Sequence, residues 1–252
     1  MQPVAIIATD VAIAAAGSEM IACTDAGCTY PPDWLVRITA PLLDGSAEYA
    51  LGGSCLDLTD RTLWDLASAH FFGIKLSVET PTKSCTARSM AFRKELWRRI
   101  GGFPESVFFG EDTLFDQQAR RLAPPVFVPR AKAFYRPQYS FRSACRQLAR
   151  YAISDGIVGV RPARLFRNAA RCLIEVLSVI ALRWSVAPLA FVLVLESWFA
   201  FRHDLLFLLR TGPQALLARF LFSLVVPWIV AINQIRGGLT RTNPPNRQNL
   251  QR

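Results

Sequence analysis

The sequence has few of the residues that build zinc sites and disulfide frameworks. It contains two histidines, His70 and His203, and no C-x-x-C pair among its cysteines. These scattered cysteines are Cys23, Cys28, Cys55, Cys85, Cys145 and Cys172. Neither a zinc site nor a disulfide-stabilised fold is indicated, so a reducing cytoplasm is the expected compartment and the thiols are expected to be small buried apolar groups.

Acidic residues are scarce in one part of the chain. The formal net charge is +10, and residues 130–171 carry nine arginines and Lys132 against one acid, Asp155. A basic cluster ahead of an apolar segment is typical of the cytoplasmic side of a membrane helix. It favours a membrane over nucleic acid as the partner, and we expect no nucleic-acid partner.

The N-terminal segment lacks the pattern of a secretory signal. Residues 4–23 are apolar, but Asp10 and Glu19 interrupt them and no basic stretch precedes them. Residues 4–16 predict a helix that Gly17 closes, and residues 19–24 predict a short strand. A further helix begins near residues 31–35, and residues 49–76 combine a strand with a helical run at 62–72. Other helices are predicted at 92–99, 111–122 and 139–151, and a short strand at 126–128.

Two long apolar segments follow, at residues 176–195 and 215–235. Each contains one charged residue, Arg183 and Arg219 respectively, and each has the length of a membrane span. Arginines before and after the pair place both ends in the cytoplasm. Because Arg183, Pro188 and Glu196 weaken the first segment, a shallow hairpin in the cytoplasmic leaflet is the alternative. Residues 240–252 predict a disordered tail.

Two acidic motifs stand at the ends or starts of predicted elements. Asp25-Ala26-Gly27 follows a strand directly, at the carboxyl edge where open α/β sheets bind ligands, although Asp-x-Gly is also a common turn. Glu111-Asp112 opens a helix. A carboxylate there is able to act as a general base, or Asp112 or Thr113 caps the helix.

A third motif lies on the basic helix predicted at 139–151. Gln147, Arg150 and Tyr151 are spaced i, i+3 and i+4, so they share one helix face. A guanidinium binds phosphate oxygens in a bidentate manner, and a tyrosine ring stacks on sugars. The alternative is a basic helix that lies on anionic lipid.

The order of these motifs, together with the run from Thr86 through Arg88, Trp97 and Gly101-Gly102 to the acidic pair, resembles the family 2 glycosyltransferases of the membrane-attached branch. The resemblance covers residues 4–159. It implies an α/β fold of the GT-A type, a Rossmann-like mixed sheet with flanking helices, followed by C-terminal membrane helices.

Complete domains of this family begin with further strand and helix units that bind the nucleotide, so we expect an N-terminally truncated domain at 1–160. A basic juxtamembrane linker at 161–171, two transmembrane or interfacial helices at 172–239 and the tail at 240–252 complete the expected organisation.

The resemblance also implies roles for individual residues. Asp112 is the expected catalytic base, supported by Glu111. Asp25 is the expected metal ligand for Mg²⁺ or Mn²⁺, although Gly27 replaces the second Asp of the family's Asp-x-Asp motif. Tyr151 replaces the Trp of the family's Gln-x-x-Arg-Trp motif. Donor or acceptor binding is expected at Asp25, Arg88, Gln147, Arg150 and Tyr151.

The expected activity is inverting transfer of a sugar from a nucleotide diphosphate sugar to a hydroxyl of a glycan or lipid-linked acceptor. Such a reaction serves synthesis of a surface polysaccharide or glycolipid of the cell envelope, at the cytoplasmic face of the inner membrane. The alternative is a catalytically inactive, membrane-anchored remnant that binds glycan, lipid or protein.

Overall fold

The computed structural model describes residues 4–59, 61–74, 87–104, 110–159, 161–202, 205, 209 and 211–240. The chain separates into two compact units, residues 1–140 and residues 141–252. The first is a mixed α/β unit and the second is helical in its described residues.

The first unit alternates helices and strands. Its helices are α1 (Val4–Ala15), α2 (Trp34–Leu43), α3 (Leu63–Ser68, continued by a 3-10 turn at Ala69–Phe72), α4 (Lys94–Ile100) and α5 (Glu111–Leu122). Its strands are β1 (Met20–Cys23), β2 (Cys28–Thr29), β3 (Tyr49–Leu56), β4 (Met90–Arg93) and β5 (Val126–Tyr135).

The five strands form one mixed sheet in the order β1-β4-β3-β5-β2. Strand β4 runs antiparallel to both β1 and β3, whereas β3 and β5 are parallel. As a result β1, β3 and β5 all point their carboxyl ends the same way, and the amino end of β4 lies at that same edge. Strand β1 is the outermost strand on its side of the sheet.

Side chains alternate between the two faces of the sheet, as the period of a strand requires. On one face the alanines Ala50, Ala91 and Ala131 let α2 approach closely with Trp34 and Ile38. The other face carries a larger core under α1, α4 and α5. Its buried members are Ile13, Ile21, Tyr49, Leu51, Met90, Phe92, Leu96, Phe103, Phe115, Ala119 and Ala123.

Most predicted elements of this unit are confirmed, and two differ. Residues 92 and 93, predicted as the start of a helix, belong to β4, because Phe92 packs into the core while Ala91 faces α2. The strand predicted at 126–128 continues to Tyr135, because its pairing with β3 resumes after an irregularity between Gly52 and Gly53. The apolar residues 126–128 therefore predicted only the first part of β5.

Gly101 and Gly102 end α4 in left-handed conformations, with φ of +85° and +89°. Both backbone N–H groups donate to the carbonyl of Trp97, as at many helix C-termini. The Asp10 carboxylate accepts hydrogen bonds from the indole of Trp97 and the N–H of Phe103. A side chain at Gly102 would meet that carboxylate at 2.9 Å, so the glycine pair serves this helix ending.

The second unit contains α6 (Phe141–Val158), α7 (Pro162–Ala181), α8 (Ala187–Phe201) and α9 (Pro213–Leu239). Helix α9 contains the apolar segment predicted at 215–235 and is long and apolar enough to cross a membrane, the one such helix found among the described residues. The segment 176–195 does not form a single helix. It is divided between α7 and α8, because Pro188 lies in the first turn of α8 and cannot continue a preceding helix.

Helices α6 and α9 pack with their backbones in contact. A Cβ at Gly156 would lie 2.1 Å from the carbonyl oxygen of Gln234, and one at Gly237 would lie 2.1 Å from that of Ile153. Helix α6 thus belongs to the second unit, which begins at residue 141, whereas the sequence predicted a domain that ends at residue 160. The tail predicted at 240–252 lies, apart from Thr240, outside the described residues.

Candidate active site

Asp25 and Arg88 meet because two antiparallel strands hold them at one edge of the sheet. Cys23, the last residue of β1, pairs with Met90, the first residue of β4. Asp25 follows β1 by two residues and Arg88 precedes β4 by two. The Nε atom of Arg88 lies 3.6 Å from Oδ2 of Asp25.

Tyr30 joins the two segments that carry this pair. Its hydroxyl accepts the backbone N–H of Asp25 at 3.0 Å and donates to the backbone carbonyl of Arg88 at 2.9 Å. Burial raises the pKa of Tyr30, so its hydroxyl stays protonated and able to donate. The ring packs against Trp34, with centroids 4.7 Å apart. Sequence analysis missed this residue, because its role depends on contacts 58 residues apart.

Gly27, two residues after Asp25, occupies a left-handed conformation with φ of +77°. Its carbonyl accepts the N–H of Arg136 at 2.7 Å. A residue with a side chain would be strained at this φ. The turn after β1 therefore requires glycine here for a conformational reason.

The Arg88 side chain is more buried than its partner. Its exposed fraction is 12%, against 46% for the side chain of Asp25. The guanidinium carbon lies 4.0 Å from the centroid of the Tyr135 ring, a cation–π arrangement at the end of β5. Tyr135 fixes the guanidinium on one side while Asp25 stays open to solvent.

Asp112 connects the start of α5 to the segment of Arg88. Its Oδ2 accepts the N–H of Ala87 at 3.3 Å, and its Oδ1 accepts the N–H of Thr113 at 2.6 Å. The N-cap position belongs to Gly110, with φ of +84°, rather than to Asp112 or Thr113. Asp112 is thus placed in the first helical turn beside the segment that carries Arg88.

Both acids of the Glu111-Asp112 pair are harder to ionise than ordinary carboxylic acids. Burial raises the pKa of Asp112, and hydrogen bonds from Thr113 and Ala87 and the charge of Arg88 oppose that effect. Burial also raises the pKa of Glu111, and the negative charges of Asp112 and Asp25 add to it. A carboxylate whose pKa moves toward neutrality is a better proton acceptor at physiological pH.

Four of the residues singled out by sequence therefore lie together at one sheet edge, namely Asp25, Arg88, Glu111 and Asp112. The other three, Gln147, Arg150 and Tyr151, lie on α6 as predicted, and they belong to the second unit. Arg150 is exposed, and Gln147 and Tyr151 are half-buried. Their role in donor or acceptor binding stays a prediction.

A fourth acidic residue at this edge was not predicted. Asp57, which follows β3, is buried and accepts hydrogen bonds from Arg136 Nε at 2.7 Å and from the hydroxyl of Thr59 at 2.6 Å. Although burial acts to raise it, these hydrogen bonds and the charge of Arg136 lower the pKa of Asp57 to about 2. Asp57 directly follows a strand, which is the same sequence feature that identified Asp25, so the sequence contained the signal for Asp57 as well.

Among the described residues no group of three or more His, Cys, Asp or Glu side chains is arranged to hold a metal ion. At the sheet edge Asp25 is the exposed carboxylate, and its nearest charged partner is Arg88. A divalent cation bound here would take one ligand from Asp25 and the rest from water and a bound phosphate group, which is a common arrangement for Mg²⁺.

The chain matches no protein-family model and no curated protein sequence.

Proposed function

We propose that the first unit is a glycosyltransferase domain of the GT-A type that transfers a sugar from a nucleotide diphosphate sugar with inversion. The observation that carries the proposal is the meeting of Asp25, Arg88, Glu111 and Asp112 at one sheet edge. Two of these acids have raised pKa values and a third is open to solvent. Such a set supplies a base, a phosphate contact and a cation ligand in one place.

In the proposed reaction the acceptor hydroxyl attacks the anomeric carbon from the face opposite the leaving group. Asp112 takes the hydroxyl proton as the new carbon–oxygen bond forms. The bond between the anomeric carbon and the diphosphate oxygen breaks, and the nucleoside diphosphate leaves with that electron pair. Glu111 lies beside Asp112, and burial together with the negative charge of Asp112 raises the pKa of Glu111, so the two acids share a site that is receptive to a proton.

Arg88 has the position and chemistry to bind the diphosphate. A guanidinium pairs with phosphate oxygens through parallel hydrogen bonds, and Tyr135 orients this one. Three carboxylates nevertheless lie at the same sheet edge as one guanidinium, so the site carries a net negative charge when all are ionised. Mg²⁺ or Mn²⁺ on Asp25 would neutralise the leaving diphosphate, which fits an exposed single carboxylate.

The proposed acceptor is a glycan or lipid-linked hydroxyl, and the proposed location is the cytoplasmic face of the inner membrane. The second unit supports attachment to the membrane, because α9 is a long, strongly apolar helix. The proposed product is a surface polysaccharide or glycolipid of the cell envelope.

A second candidate function is binding of glycan, lipid or protein without turnover. The observation that favours it is the place of β1, the outermost strand of the sheet, which puts Asp25 at the margin of the fold. A nucleotide bound beside Asp25 has no further strand on that side among the described residues.

The test is titration of the chain in detergent, with Mg²⁺ or Mn²⁺, against a panel of nucleoside diphosphate sugars by calorimetry. Saturable binding of one donor, weakened in Arg88→Gln, supports the transferase and names the sugar for transfer assays. A folded sample that binds no donor supports the second candidate. Arg120→Gln is the matched control, because Arg120 is an arginine of the same unit whose carboxylate partner is Asp116 instead of Asp25.

A further inference from the structure

Helix α7 buries polar residues and exposes apolar ones, the reverse of a helix in a water-soluble bundle. The residues that it buries in the second unit are polar, namely Asn168, Arg171 and Ser178. Apart from Arg167, the large residues that it exposes are apolar, and their exposed fractions exceed one half at Phe166, Leu173, Leu177, Val179 and Ile180. Proteins in water show the reverse distribution.

Three buried polar side chains of the second unit, Arg171, Glu196 and Asn168, satisfy one another. Arg171 donates to both carboxylate oxygens of Glu196 and, at 3.1 Å, to the backbone carbonyl of Ser223. Asn168 accepts a further hydrogen bond from Arg171 at 3.3 Å. A paired, hydrogen-bonded interior with an apolar exterior is the arrangement expected where the surroundings are lipid.

Helix α9 exposes a second apolar stripe. Its exposed large side chains recur at helical spacing along a single face, and they are Leu217, Leu221, Trp228, Ile232, Ile235 and Leu239. The indole of Trp228 donates to Glu175 of α7, which places the two stripes side by side. Helix α8 adds exposed Phe191, Val194 and Trp198.

The charge of this unit is almost entirely positive. Residues 141–252 contain fifteen arginines and four acids, a net charge of +11, whereas residues 1–140 contain fourteen basic and fifteen acidic residues. Two of the four acids, Asp155 and Glu196, are buried in ion pairs with arginines. The exposed arginines of the described part are Arg142, Arg146, Arg150, Arg161, Arg167, Arg183, Arg202 and Arg236.

The packing of α6 restricts how deeply α9 is able to enter lipid. The two helices run in the same direction, because the ring of Phe141 meets that of Phe222 and Gly156 meets Gln234. Helix α6 therefore accompanies α9 from Phe222 onward, and α6 exposes three arginines, Arg142, Arg146 and Arg150. If α9 crossed the bilayer, these arginines would enter the hydrocarbon, where a charged side chain is strongly unfavourable.

We propose that the second unit binds an anionic bilayer along its surface. The apolar stripes of α7, α8 and α9 enter the upper acyl region, and the arginines of α6 lie at the level of the lipid phosphates. Amphipathic helices with arginines and exposed tryptophans occupy this interfacial position. The inference concerns the second unit and stands whether or not the first unit transfers sugar.

Depth is the decisive measurement, and Trp228 reports it because it lies near the middle of α9. The full chain is bound to vesicles of equal parts phosphatidylcholine and phosphatidylglycerol that contain brominated lipid. The Trp228 signal is the difference between the wild type and Trp228→Phe. Bromines near the headgroup should quench it more than bromines near the chain ends. Stronger quenching by the deep bromines, or no quenching by either, overturns the proposal.

Vesicle flotation tests the two surface features separately. Arg142→Gln with Arg146→Gln should weaken binding to the same vesicles about tenfold or more, since each basic residue contributes to attraction by anionic lipid. Leu173→Gln with Leu177→Gln should weaken it comparably. Val36 is an apolar residue on α2 that is at least as exposed as Leu173 and Leu177, so Val36→Gln is the matched control and should bind as the wild type does. Unchanged binding of a folded Leu173→Gln, Leu177→Gln variant overturns the role of α7.

Discussion

The guanidinium of Arg88 stands between two acids of different character. Its Nε lies 3.6 Å from Oδ2 of Asp25, and its positive charge lowers the pKa of Asp112 against the effect of burial. Asp25 is half-exposed, whereas Asp112 is held by two backbone N–H groups. Arg88 thus interacts both with Asp25, the proposed donor contact, and with Asp112, the proposed general base.

Replacement of Asp112 separates catalysis from binding. We expect Asp112→Asn to lower the transfer rate by about 10²- to 10⁴-fold, the usual range for loss of a general base. Donor affinity should change little, because Asn still accepts the N–H of Ala87. Calorimetric titration and product formation with the donor identified above measure the two effects.

The matched control for this variant is Asp116→Asn, one turn further along α5, where the carboxylate binds Tyr49 and Arg120. Transfer by that variant should remain within a few-fold of the wild type. Asp25→Ala, in contrast, should weaken both donor binding and transfer. Normal turnover by Asp112→Asn would remove the assignment of the base.

Removal of Arg88 should move the pH dependence of transfer. The proposed base acts when Asp112 is ionised, so the rate rises with pH through its raised pKa. Because the positive charge of Arg88 lowers that pKa, Arg88→Gln should shift the rise to higher pH, by roughly one unit. Arg88→Lys keeps the charge and should shift the rise less. The measurement is kcat/KM against pH, and a shift to lower pH would contradict the proposed electrostatic coupling.

Donor binding should depend on a divalent cation, and this dependence should require Asp25. We expect EDTA to weaken donor binding, and Mg²⁺ or Mn²⁺ to restore it, because the exposed Asp25 carboxylate is open to a cation shared with the diphosphate. In Asp25→Asn the affinity should be low with or without the cation. Calorimetric titrations of both proteins, with and without EDTA, measure this. A cation effect of equal size in Asp25→Asn would place the ion elsewhere.

Local pattern was enough to predict the elements that carry the acids. Helix α5 begins and ends where the sequence indicated, because two acids in its first turn and two arginines in its last turn both favour those ends. The turn after β1 was also anticipated. What local pattern could not supply is the meeting of Asp25 and Arg88, because it depends on the register between β1 and β4, whose paired residues lie 67 or more residues apart in the chain.

Packing across the chain explains the other differences. The sequence predicted one apolar span at residues 176–195. In the structure, α7 exposes apolar residues and buries polar ones, and α8 likewise buries the polar residue Glu196. Tyr135 was missed as a partner of Arg88 because the strand that carries it continues past a bulge, where short-range hydrophobicity fades.

Asp57 should stabilise the fold in a pH-dependent manner. Its folded pKa of about 2 lies below the ordinary value of 3.8, so its contribution is present above pH 4 and is lost as the pH falls through 2. We expect Asp57→Asn to lower the free energy of unfolding at neutral pH by roughly 2 kcal/mol. The difference from the wild type should vanish near the folded pKa.

Denaturant unfolding at a series of pH values measures this difference. The control is Asp33→Asn, which removes the exposed ion pair with Arg37 and should cost about 1 kcal/mol or less. A constant difference between Asp57→Asn and the wild type across the acid range would show that the charge of Asp57 does not stabilise the fold.

The contact between α6 and α9 should tolerate no side chain at its two buried glycines. A Cβ at Gly156 or Gly237 would lie 2.1 Å from a carbonyl oxygen of the facing helix, far inside van der Waals contact, so the helices must separate. We expect Gly156→Ala and Gly237→Ala each to lower the free energy of unfolding by roughly 1–3 kcal/mol or more.

Gly238→Ala is the matched control, because its Cβ would meet its nearest neighbour at 3.9 Å and alanine favours the helix. Thermal unfolding in detergent should therefore place the first two variants below the wild type and Gly238→Ala at or above it, whereas equal melting of all four proteins would contradict close packing of α6 on α9.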